Sequence, residues 1–115
     1  MIDEESINKL DNLLANDDRK ILELPLKLFH PYRFLIMKIL FAQGPVGFSE
    51  LRLDLKLSDG NLASHLRVLE EGEFIKSQKE FKDKKPRTSY ELTQKGEEDF
   101  TELQDKLRKV LVNER

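Results

Sequence analysis

The 115-residue sequence has no cysteine and no tryptophan, and only two histidines, four prolines and five glycines. Without cysteine there are no disulfides and no thiolate metal ligands, which fits a reducing, cytoplasmic setting. Neither histidine, His30 nor His65, has a carboxylate cluster at matching helical spacing, so no metal site and no catalytic site are expected. There is no phosphate-cradling glycine loop and no nucleophile motif, so an enzyme is not expected, nor a cofactor. No apolar run approaches the roughly 20 residues that span a bilayer. No charged-then-apolar leader stands at the start. A membrane partner is therefore not expected, and no residue set singles out a small-molecule effector.

What the sequence does have is charge, unevenly placed on a chain of net charge −2. Residues 1–20 carry six acids against Lys9, Arg19 and Lys20. Residues 74–92 carry six bases against Glu80, Asp83 and Glu91. A mildly acidic protein with one basic patch is suited to docking a single surface on phosphates rather than to coating nucleic acid.

Apolar periodicity divides the chain into short elements. Ile7, Leu10, Leu13 and Leu14 recur at helical spacing over 3–16, behind acids that suit a helix start. The stretch 21–29 is apolar but broken by Pro25, which predicts a short helical turn or an extended connector. Pro31 opens a helix to about residue 42, apolar on most sides and therefore central. Gln43-Gly44-Pro45 stops it, and 46–48 reads as a very short strand. Ser49 is expected to cap a short helix over 50–55, and Ser58 a second over 59–71. After Gly72 the period changes to two strands, 74–81 and 87–92, joined by a projecting connection over 82–86, with Tyr90 and Leu92 facing the core. Thr93 caps a last amphipathic helix over 94–112.

The helix at 59–71 organises the rest. With Leu62, Leu66 and Leu69 turned inward, Gly60, Asn61, Ser64 and Arg67 face outward. A small, polar outer face is what a helix needs to lie in the major groove of DNA, where Asn, Ser and Arg meet base edges and phosphates. Ser58 and Gly60, at the positive end of this helix, are candidates for phosphate approach. His65, on the flank, fits either a phosphate contact or packing. Lys79, Lys82, Lys84, Lys85 and Arg87 are candidates for tracking the backbone, with Arg87 best placed for a minor groove.

These residues also carry a resemblance. Asp59-Gly60-Asn61-Leu62, His65-Leu66, Leu69-Glu70-Glu71, Phe74-Ile75, Lys85-Pro86-Arg87-Thr88, Tyr90, Leu92-Thr93, Gly96 and Phe100 resemble the winged-helix domain of small MarR/ArsR-like transcriptional regulators. His30-Pro31, Arg33, Ile36, Leu40 and Phe48-Ser49-Glu50-Leu51 resemble its opening. The resemblance covers about residues 30–100. It implies a mainly α fold with a small β-hairpin, a winged helix-turn-helix with extra terminal helices, and a homodimer that binds double-stranded DNA. Glycine in the family usually stands just before the aromatic that follows the recognition helix, where this sequence has Glu73. The helix is therefore expected to end a residue early or to strain Glu73. The metal-sensing relatives use cysteine-rich helices, and that property does not carry over.

Residues 30–93 are thus expected to form the DNA-binding domain, with 1–29 and 94–115 serving dimerisation. Because 31–92 already supply a core, the extra stripes of Leu10, Leu13, Leu14, Leu103, Leu107 and Leu111 are expected to meet a second copy. The competing expectation is a winged-helix protein-interaction module in a larger assembly, without direct DNA binding.

Overall fold

The computed structural model describes residues 13–15 and 17–112. The helix expected over 3–16 falls largely outside them, Leu10 included. Leu13 and Leu14 lie in a bend and are exposed. The chain forms two compact units, one spanning Pro25–Thr101, the other combining the residues up to Leu24 with those from Glu102.

In the Pro25–Thr101 unit, Pro25 leads into a short 3-10 turn, Leu26–Leu28, which buries Leu28. Helix α1, Pro31–Gln43, starts where His30 Nδ1 accepts the Tyr32 N–H and ends at Gly44, whose φ is 79°. Ile36, Met37 and Leu40 are fully enclosed, whereas Leu35 and Phe41 remain 42% and 41% exposed, so α1 is central on one side only. Phe34 and Phe41 each sit 5.5 Å from the Phe100 ring, an aromatic cluster of the tilted kind that adds to plain burial.

Strand β1 is Val46–Gly47 and helix α2 is Phe48–Leu55. The cap is not Ser49 but Gly47, one residue before the helix begins. Glu50, in the first turn, accepts the Gly47 N–H at 2.7 Å, and that side-chain bond replaces the expected serine cap. Helix α3 is Asp59–Glu71, as the leucine spacing predicts, and Ser58 Oγ accepts the Asn61 N–H. Leu62, Leu66 and Leu69 are buried, at about 1.5–3 kcal/mol apiece.

The end of α3 turns on Glu73. Phe74 N–H bonds back to Leu69 O and Glu73 N–H to Glu70 O, a Schellman closure that requires a left-handed residue at Glu73. Glu73 takes it, with φ 62°, while Gly72 stays right-handed at −80°. The helix does not shorten; the strain falls on Glu73.

Strands β2, Ile75–Lys82, and β3, Lys85–Leu92, pair antiparallel, and β1 adds to β3 in the order β1-β3-β2. The connection is shorter than expected. Lys82 pairs with Lys85, leaving a two-residue turn, Asp83-Lys84, with both φ positive (53° and 64°). Such a turn matches strand twist and makes the wing an ordered ribbon. Pro86 is tolerated inside β3 because β1 pairs only with Ser89 and Tyr90, leaving the strand unpaired on that side at Pro86. The core-facing expectation also shifts. Ser89 is the buried residue of β3, at 5% exposure, and Tyr90 and Leu92 are half-buried.

Helix α4, Gln94–Leu111, begins on Thr93, whose Oγ1 accepts the Gly96 N–H and donates to Glu73 O. A Cβ at Gly96 would overlap the Phe74 carbonyl, so only glycine lets this helix close on the chain before β2.

In the other unit, Asp18, the first residue of the 3-10 turn Asp18–Glu23, accepts the Ala15 N–H at 2.8 Å. Lys106 joins Glu102 at 2.9 Å and Glu23 at 3.8 Å. Leu24 and Leu103 are buried, Leu107 is half-buried and Leu111 is 77% exposed.

Candidate nucleic-acid interface

Helices α2 and α3 are joined by three residues, Lys56-Leu57-Ser58. Lys56 turns left-handed at φ 55°, Leu57 is buried beneath the turn, and the Arg52–Asp59 ion pair at 3.1 Å clips the two helices together. This fixes which side of α3 faces out. Ser58, Gly60, Asn61, Ser64 and Arg67 are all exposed, and the space around a Cβ at Gly60 is open. The side chains of Asn61, Ser64 and Arg67 are not engaged by other described residues. Their donors and acceptors are free for a ligand outside the fold.

His65 is placed differently. Its Nδ1 lies 3.3 Å from Arg33 Nη1, and its ring sits 4.5 Å from His30 and 5.6 Å from Tyr32. Arg33 can only donate, so His65 Nδ1 accepts and its other nitrogen carries the proton. Partial burial, then the neighbouring His30 and Arg33, push His65 below the ordinary histidine range. Of the two expectations for His65, packing matches this placement. The histidine cluster is not legible in the sequence because Arg33 and His65 lie 32 residues apart.

The wing residues divide in the same way. Lys79, Lys82, Lys84 and Lys85 are exposed and make no ion pair with the described residues. Arg87 is pinned. It bonds Glu50 and faces Glu80, its cross-strand partner, at 3.7 Å. Its charge is paired with these two carboxylates at the base of the wing. A groove of about 500 Å³ opens there because β1 stops short, lined by Phe48, Ser49, Glu50, Lys85, Arg87 and Tyr90 among others. Among the described residues no group of three or more His, Asp or Glu converges to hold a metal, and no helix is long and apolar enough to cross a membrane.

Register assigns the two faces of the wing. Ile75, Ser77, Lys79 and Phe81 share one face with Leu92, Tyr90, Thr88 and Pro86. Tyr90 also borders Ala63, Leu66 and Arg67 of α3, so this is the face turned toward the outward helix. Burial raises the Tyr90 hydroxyl above its ordinary pKa, with Glu70 adding to the effect.

A winged helix DNA-binding domain family model matches residues 32–111. The structure of a transcriptional regulator homologue from Pyrococcus horikoshii OT3 is 33% identical and superposes with a TM-score of 0.76, over 84% of this chain and 95% of that one. YusO from Bacillus subtilis shares the fold at 17% identity (TM-score 0.68, 94% of this chain and 74% of that one). A MarR-family regulator from Enterococcus faecalis V583 does so at 21% identity (TM-score 0.59, 90% and 81%). No curated protein sequence matches the chain.

Proposed function

The chain belongs to the winged helix DNA-binding domain family, and from that premise we propose that it is a homodimeric, sequence-specific regulator of transcription. Helix α3 enters the major groove of double-stranded DNA. Gly60 and Ser58 approach phosphate at its positive end, Asn61 and Ser64 meet base edges, and Arg67 meets phosphate. Lys79, Lys82, Lys84 and Lys85 follow the adjoining backbone, and Arg87 acts as a positioning residue that holds the wing to α2 through Glu50. The observation that carries this reading is the pairing of an unpartnered polar helix face with four unpaired wing lysines.

The dimer is supported by Leu13, Leu14 and Leu111, which are 63%, 51% and 77% exposed, and by half-buried Leu107. Leu103 is 1% exposed in the single chain and has little area to give a partner. A two-fold dimer sets two recognition helices about one DNA turn apart and favours a pseudo-palindromic site. The test is an electrophoretic shift of duplexes selected from a random library, against unselected DNA. Preference for the selected pool supports the reading. Equal binding to both refutes sequence-specific recognition.

A further inference from the structure

Phe81 is 81% exposed, whereas Phe29, Tyr32 and Phe41 are only 37–43% exposed. It lies one register step before the turn, directly opposite exposed Pro86. Both stand on the wing face turned toward α3 with exposed Lys79, while Lys82 and Lys85 flank them on the other face and Lys84 lies in the turn. Strand β2 is also a free edge of the sheet. Natural edges carry charge or polarity at such positions, because a solvated apolar side chain there invites aggregation. Threonine would serve the strand equally well. At 81% exposure the ring buries little within the fold, and it stands beside the tight turn at the tip of the ribbon.

We propose that the wing tip inserts Phe81, backed by Pro86, as an apolar wedge between base pairs in the minor groove, unstacking one step and kinking the duplex. The inference rests on the DNA-binding reading above and adds a mechanism to it. An aromatic face replaces the lost base stacking, the lysines offset the phosphate charge beside the inserted ring, and the duplex bends away toward its major groove. Pyrimidine–purine steps unstack at least cost, so the preferred site carries TA or CA/TG under the wing at positions no side chain reads directly.

The experiment uses the full chain, duplexes it selects from a random library, end-to-end fluorescence transfer for bending, and 2-aminopurine beside the candidate step. Phe81→Thr keeps a strand former and removes the wedge; Phe81→Leu keeps an apolar wedge. Wild type and Phe81→Leu are expected to bend the site by at least about 20° and to brighten the probe. Phe81→Thr is expected to leave the duplex straight and to bind it roughly 5- to 100-fold more weakly. The salt slope should not change, since every lysine remains. Bending by Phe81→Thr equal to wild type overturns the wedge, as does tight, straight binding by wild type; either assigns Phe81 to another role, such as docking a protein partner. Failure of wild type to bind any duplex overturns the DNA-binding reading itself, a result distinct from both.

Discussion

Glu73 carries a conformation that suits glycine. Its left-handed φ of 62° closes the end of α3, and a side chain there costs about 1 kcal/mol relative to glycine. Glu73→Gly should therefore stabilise the protein by about that much and raise Tm by a few degrees; an unchanged or lower Tm contradicts the assignment. Gly72 does not fill that position, since it is right-handed at φ −80°; its lack of a Cβ instead makes room for the Phe74 ring. His65 gives a second test at this scale. Its folded pKa is depressed, so over the interval up to the ordinary value of 6.5 the unfolded chain binds more protons. Stability is then complete above that value and falls as pH drops through the folded pKa. His65→Gln should flatten this acid-side loss in a pH series of denaturant unfolding; an unaltered profile would remove His65 from the cause.

Arg87 separates charge from position. Because Glu50 and Glu80 already engage it, Arg87→Ala should change the salt dependence of DNA binding less than Lys84→Ala with Lys85→Ala. The lysine pair should lower the slope of log K against log salt by about two. The opposite ranking would return Arg87 to the backbone contacts.

Among the elements, the wing depends most on its turn. Asp83 and Lys84 both occupy positive φ, where Asn-Gly is the favoured pair. Asp83→Asn with Lys84→Gly should raise Tm while leaving the fold intact; a lower Tm would mean that the turn is not of this type. The same turn shows where sequence reading stops. Helix α3 is legible because Ser58, Leu62, Leu66 and Leu69 state its start and its buried face locally. The Thr93 cap of the last helix is legible for the same reason. Asp83-Lys84 lacks the Asn-Gly signal, so the tight turn is hidden and the connection reads as longer. The Glu50–Arg87 and Arg33–His65 pairs join residues 37 and 32 apart, which no local pattern announces. Gly47 as a cap is likewise invisible, since its role comes from the Glu50 carboxylate.

In the complex proposed for the whole molecule, labour is divided between the α3 face and the wing. Asn61→Ala with Ser64→Ala should reduce preference between duplexes, by roughly 1–3 kcal/mol for each base no longer read, more than it reduces total affinity. Equal losses on selected and random DNA would deny α3 a base-reading role. As proposed, this acidic protein with a basic wing binds one duplex site as a dimer. The most direct test of this is a titration of the labelled fragment from upstream of its own gene, at two salt concentrations, against random competitor. The expected result is a salt-weakened complex that outcompetes random DNA and saturates at two chains per site. Absence of binding to any duplex at low salt would contradict it and favour a protein-interaction role for the winged helix.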